Sequence, residues 1–176
     1  PIPMENEKLQ FNLISTGKGR TTCSYFMPGN ETFVYASTHL GGDECPPTPD
    51  REKIKKYVWP LYPSYEIFIA DKEGNIVQQL TDNDYYDAEA TVSPNGDKIV
   101  FTSTRSGDIE MYTMNIDGSD VQQVTDGLGY DGGAFFSPDG SKLVFRASRP
   151  TAEEDVKEYQ DLLAQDMVAP SDMEVY

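Results

Sequence analysis

The chain carries one histidine, one tryptophan and two cysteines, and no apolar run approaches the roughly 18 residues that a membrane span needs. Each shortage narrows what its 176 residues can do. Imidazole chemistry is limited to His39, and no zinc-ligand spacing, phosphate-cradling loop or Gly-x-Ser-x-Gly elbow appears. Two cysteines are too few to define a redox compartment. Basic residues are also scarce: 14 Lys and Arg stand against 30 Asp and Glu, a formal net charge of −16. Such a surface repels phosphate backbones and anionic headgroups, which argues against nucleic acid and against membrane insertion or surface binding. Solubility explains the acidity, or else it serves a cation or a basic partner. No basic-then-apolar leader opens the sequence. Because it starts at Pro1 rather than Met, it reads as a mature or excised segment from which any export signal would be gone.

What is present is a repeat. Residues 90–101, Ala-Thr-Val-Ser-Pro-Asn-Gly-Asp-Lys-Ile-Val-Phe, recur in altered form at 134–145, so Pro94 and Pro138 lie 44 residues apart. A weaker copy at 24–35 places Pro28 66 residues before Pro94, which makes room for an insertion of 22. A period of about 40–45 residues is that of a four-stranded propeller blade. The middle copy shows the unit: Tyr86 to Ser93 alternates Ala88, Ala90 and Val92 with Asp87, Glu89 and Thr91, then Ser93-Pro94-Asn95-Gly96 turns the chain. Lys98–Thr104, Ile109–Ile116 and Val121–Thr125 follow as three more strands.

The whole chain is therefore expected to be one all-β propeller segment of about three four-stranded antiparallel blades. Residues 1–15 end a preceding blade, with a strand over Leu9–Ser15. Residues 16–81 form a blade with an insertion at 41–64, 82–125 a regular blade, and 126–176 a blade with a helical insertion at 150–171. Ile2 and Tyr176 both align with Tyr112, so the segment begins and ends inside third strands. Three blades do not close a ring. Either the chain belongs to a longer propeller, the favoured expectation, or two copies self-associate head to tail into a six-bladed one.

Phe136-Ser137-Pro138-Asp139-Gly140, the turn Met114-Asn115-Ile116-Asp117-Gly118-Ser119 and the ending Gln79-Leu80-Thr81 carry a further signal. These residues resemble the TolB-like (WD40-like) propeller repeats of bacteria, and the likeness covers most of the chain apart from the insertions. That resemblance implies a periplasmic or exported protein: a non-catalytic protein-binding or scaffolding module of the cell envelope. Two alternatives stay open, an accessory or sensor propeller attached to a hydrolase or peptidase, and a metal-dependent propeller lyase. The metal site of such lyases resembles a histidine cluster, which this chain lacks.

Both insertions fall between second and third strands, after His39 and after Arg149, and so load one face of the disc. The first contains Gly41 to Pro49 and then Tyr57, Trp59 and Tyr62; Trp59 either packs the loop down or anchors a partner. The second spaces Val156, Tyr159, Leu163 and Met167 at helical intervals behind a Thr151-x-x-Glu154 capping pattern, predicting one short amphipathic helix docked on its own propeller. Cys23, aligned with Glu89 and Gly133, and Cys45 reach the same face, either as a disulfide or as two free thiols. His39 aligns with Arg105 and Arg149 and is expected to replace a rim arginine rather than act as a base. Asp82, Asp84, Asp87 and Glu89 surround one inner-strand start, and Asp126 and Asp131 the next, as a calcium funnel or as ordinary turn acids. The candidate binding face therefore comprises Tyr86, Asp87, Glu89, Tyr130, Asp131, His39, Arg105, Arg149 and Trp59. No catalytic residue is assigned and no cofactor beyond the calcium just weighed.

Overall fold

The computed structural model describes residues 12–176. The first blade is built from β1 (Thr21–Phe26) and β2 (Thr32–Ser37), followed by an insertion holding α1 (Arg51–Ile54) and β3 (Trp59–Pro60), and then β4 (Glu66–Asp71) and β5 (Ile76–Gln79). The second consists of β6 (Asp87–Val92), β7 (Lys98–Ser103), β8 (Glu110–Asn115) and β9 (Gln122–Gln123). The third has β10 (Asp131–Phe136) and β11 (Leu143–Ala147), an insertion with α2 (Glu153–Leu163) and β12 (Met167–Val168), and last β13 (Glu174–Val175). Sheet orders β1-β2-β4-β5, β6-β7-β8-β9 and β10-β11-β13 are antiparallel meanders, as the repeat requires. The strand expected over 9–15 and the start at Ile2 fall on residues 1–11, outside the described residues, and residues 12–15 carry no strand.

The turns obey local chemistry. Gly96 at φ 71° donates its N–H to the Ser93 carbonyl at 2.9 Å, and Gly140 at φ 73° does the same to Ser137 at 2.8 Å. Ser93 and Ser137 each accept a second bond through Oγ, from the N–H of Lys98 and Lys142 respectively. Between blades, the apolar faces interlock. Val34, Ile67 and Ile69 of the first meet Ile99, Phe101, Tyr112 and Met114 of the second, while Val100 and Met111 meet Ala134 and Phe145 of the third. At roughly 1.5–3 kcal/mol per buried large side chain, these layers hold the arc together.

Three departures from the sequence reading matter for the site. First, period-two alternation fails along β6, because Asp87 and Ala88 are both fully buried. The register shifts between Ala88 and Thr91, and equivalent shifts occur at Thr22/Ser24 and Gly132/Phe135. Each is a β-bulge whose extra residue has positive φ: Cys23 at 41°, Glu89 at 58° and Gly133 at 63°. Second, the Thr151 cap is not made. Helix α2 starts from Ala152 with no side-chain cap bond, and Glu153, Glu154 and Asp155 complement its N-terminal dipole instead. Tyr159 and Leu162 are its buried residues, and Met167 belongs to β12 rather than to the helix. The proline-rich first insertion also gains the helical turn α1, whose first N–H groups at Glu52 and Lys53 are accepted by Asp50 Oδ1.

Third, the two insertions pair with each other. β3 and β12 form a two-stranded sheet, Trp59 opposite Val168 and Pro60 opposite Met167, extended by Leu61 N–H to Asp166 O at 2.7 Å. Beneath this strap Val58, Leu162 and Met167 form a cluster of their own, and Lys56 pairs with Glu158. Helix α2 docks on its own propeller as expected, through a hydrogen bond from Tyr159 Oη to Asp108.

Candidate functional site

The second and third blades begin and end their inner hairpins with the same clamp. In the second, Arg105 Nη2 donates to both oxygens of the fully buried Asp87, at 2.9 and 2.8 Å, and Arg105 Nε donates to Ser103 Oγ at 2.9 Å. The guanidinium lies 5.0 Å from the Tyr112 ring centroid. The third blade repeats this with Arg149, 2.6 Å from Asp131 and 5.8 Å from the Tyr176 ring. In the first, Thr21 replaces the aspartate and His39 the arginine. His39 Nδ1 sits 3.1 Å from Ser37 Oγ and its ring 4.5 Å from Phe68. Burial, then the Lys18 charge, lower the His39 pKa, which favours the neutral ring in this structural role. Four of the nine candidate residues, Asp87, Asp131, Arg105 and Arg149, are thus occupied in holding hairpins together, and His39 takes the rim-arginine position.

A second carboxylate faces each junction. Glu66 and Glu110 are both buried at the start of a third strand, Glu66 accepting the Asn83 N–H at 2.7 Å. Burial and then the charge of Asp131 push Glu110 up to about 7. A carboxyl raised from 4.5 contributes its full stability below that value and loses it as pH climbs through 7. The urea midpoint is therefore expected to fall between pH 5 and pH 8, and Glu110→Gln should flatten that fall and stabilise the chain at pH 8. An unchanged difference between the two pH values in the variant would remove Glu110 as its source.

The other candidates converge. Tyr86, Glu89, Tyr130 and Trp59 line one cavity of about 320 Å³ under the strap, together with Arg20, Tyr62, Tyr65 and Arg146. The bulge at Glu89 turns its side chain toward the third blade, where the carboxylate accepts Tyr130 Oη at 2.8 Å and the Gly133 N–H at 2.7 Å, while Thr102 Oγ1 of its own blade donates to it at 3.1 Å. Trp59, brought over by β3, meets Tyr130 edge-on at 6.1 Å, and Tyr65 meets Tyr86 at 5.7 Å. Burial raises the Tyr65 hydroxyl to about 12 and pushes Tyr86 and Tyr130 well above the usual tyrosine range, so all three stay protonated donors. Arg146 rests against both Trp59, at 5.6 Å, and Tyr130, at 5.8 Å. The sequence reading did not single out Arg20, Tyr65 or Arg146.

A family description fits this arrangement from outside the chain. The model of the TolB beta propeller domain matches residues 49–167. The chain belongs to that family. Its fold is shared with TolB of Agrobacterium tumefaciens, at TM-score 0.55 and 22% identity over 76% of this chain and 40% of the other. TolB of Acinetobacter baumannii matches at 0.50 and 16%, over 73% and 27%. A puromycin-hydrolyzing peptidase of Mycobacterium tuberculosis matches at 0.54 and 11%, over 91% and 23%. At these identities the likeness shows the fold alone, and the chain spans well under half of each of those proteins. No curated protein sequence matches.

Within this TolB-type arc the thiols and the acids have definite neighbours. Of the two states weighed for the cysteines, the structure holds the free thiols: Cys45 Sγ donates to Gly19 O at 3.0 Å, whereas Cys23 stands at the β1 bulge beside Thr22 Oγ1. Of the acids weighed for calcium, Asp87, Asp131 and Glu89 are engaged by arginines, tyrosine and backbone, and Asp82, Asp84 and Asp126 are exposed. Among the described residues no three His, Cys, Asp or Glu side chains converge as a metal site, and no helix is long and apolar enough to cross a membrane.

Proposed function

We propose that this chain is a non-catalytic protein-binding or scaffolding module of the bacterial periplasm or cell envelope, with its partner received on the strapped face. The observation that carries the reading is the division of labour among polar groups. The buried acids and rim arginines are consumed in blade clamps, while aromatic side chains and two further arginines border an open cavity on the face that both insertions crowd. Tyrosine, tryptophan and arginine are the residues that dominate binding energy at protein interfaces. Membership of the TolB beta propeller family supports both the role and the envelope location.

The test uses the full-length protein in its own cell. A photo-crosslinking phenylalanine analogue at Tyr57, exposed beside Trp59, is expected to give a discrete protein adduct in the periplasmic fraction. The same analogue at Val77, exposed on β5, should give none. No adduct from either position, a cytosolic location, or a hydrolase domain beyond Tyr176 whose turnover depends on this propeller would overturn the reading.

A further inference from the structure

Arg20 and Arg146 are the two side chains of the cavity that the repeat does not require. The backbone of Arg20 is pinned as its counterparts are: its N–H donates to Thr38 Oγ1 at 2.9 Å, and its carbonyl accepts the Thr38 N–H at 2.9 Å. Tyr86 makes the same pair with Thr104, and Tyr130 with Ser148. Arg20 therefore occupies a position that the other two blades fill with a buried tyrosine. Arg146 pairs with Gly132 on the inner strand, as Thr102 pairs with Ala88 and Ala36 with Thr22. It occupies a position filled elsewhere by a small residue. Blade packing is served by tyrosine at one position and by threonine or alanine at the other, so neither arginine is explained by it.

Both nevertheless reach one cavity. Gly133 makes room for the second of them, since a Cβ there would stand 2.8 Å from Arg146 Nη2. Arg146 keeps 43% of its side chain exposed, and its nearest carboxylate oxygen, on Glu89, is 3.6 Å away, beyond a good hydrogen bond. Glu89 already accepts from Tyr130, Gly133 and Thr102, and Arg146 Nη2 donates to Tyr130 Oη at 3.2 Å, which leaves the remaining N–H groups of the guanidinium to meet a ligand. Among the described residues Arg20 has no carboxylate within 4 Å; its guanidinium lies 5.9 Å from the Tyr62 ring. Two guanidinia and one engaged carboxylate make this cavity locally cationic in a chain of net charge −16. Arginine forks match carboxylates in bidentate geometry, and the rings beside them favour an apolar or aromatic neighbour.

We propose that the cavity between Arg20 and Arg146 is a carboxylate subsite for a peptide, with the Trp59 and tyrosine walls receiving the side chain next to that carboxylate. The proposal rests on the protein-binding reading and specifies what it recognises. A volume of about 320 Å³ suits one side chain and one carboxylate, near the lower end of ligand sites, and the surrounding acidity disfavours a polyanion.

Trp59, the single tryptophan, supplies the readout, because it stacks against Arg146 in the cavity wall. Titration of the chain with N-acetyl-glycyl-tyrosine is expected to change Trp59 fluorescence saturably, and the C-terminal amide of the same peptide should bind at least about tenfold more weakly, the worth of a charge-assisted hydrogen bond. An amidated peptide with an internal aspartate next to tyrosine separates a side-chain carboxylate from a chain terminus: the better binder identifies the source. Arg20→Met touches no clamp and should retain the far-ultraviolet dichroism of the parent while weakening the acid peptide about tenfold; Arg146→Met should do the same. Equal affinity for acid and amide, unchanged binding by Arg20→Met, or equal binding of inorganic phosphate would overturn the proposal. If the Tyr57 adduct persists in both arginine variants while no carboxylate peptide binds, the subsite falls and the protein-binding reading stands. Peptide binding without any adduct is the reverse case: the carboxylate subsite is retained and the protein partner is lost.

Discussion

Replacing Arg105 by alanine is expected to lower the unfolding free energy by about 3–5 kcal/mol, read as a large drop in urea midpoint with an unchanged slope. Asp87 is fully buried and would keep only the Asn83 amide, at 2.8 Å, once the two guanidinium bonds are gone. An ionised carboxylate left unpaired in the interior costs far more than the pair itself contributes. The double variant Asp87→Asn/Arg105→Met should therefore recover a substantial part of the loss. Blade one already shows such a paired exchange, with Thr21 and His39 where its neighbours hold Asp and Arg. If the double variant is as unstable as Arg105→Ala, the cost lies in packing over Phe101 and Tyr112 and the electrostatic account is wrong.

Gly129→Ala is the second large effect, at about 3 kcal/mol or more of destabilisation. Gly129 has φ +128°, and a Cβ there would lie 2.0 Å from the Ser148 carbonyl oxygen. Ser148 cannot yield freely, because its N–H is bonded to the Tyr130 carbonyl at 3.0 Å. Gly107→Ala is the matched control: φ is +93°, but nothing stands within 4 Å, so conformational strain alone, about 1–2 kcal/mol, is expected. Equal losses in the two variants, measured in urea, would show that the close approach to Ser148 is absorbed. Gly129 also sets the path into Tyr130 and Asp131, so its variant should disturb the cavity as well as the clamp.

The blades were legible because hairpin chemistry is local. Ser-Pro-Asn-Gly and Ser-Pro-Asp-Gly write their turns in four residues, and a 44-residue period needs only counting. The bulges were hidden, since Cys23, Glu89 and Gly133 share a position but no residue type, and an alternating pattern over Asp87 to Val92 reads as a plain strand. Half of the site was hidden for a related reason. Arg20 opposite Tyr86 and Tyr130, and Arg146 opposite Ala36 and Thr102, are visible in the same alignment as exceptions to the repeat, but attention to what recurs passes over what does not. The strap was not readable at all, because pairing Trp59 with Val168 depends on two loops more than 100 residues apart meeting in space.

That strap has a mechanical consequence. Its hydrogen bonds tie the first and third blades to each other on one face, bypassing the second, whereas among the described residues no strand pair links those two blades on the opposite face. The arc is therefore built like a hand fan fastened along one rim. Any breathing between blades widens the unfastened rim first, and the aromatic cavity keeps its shape while the rest of the sheet stack flexes.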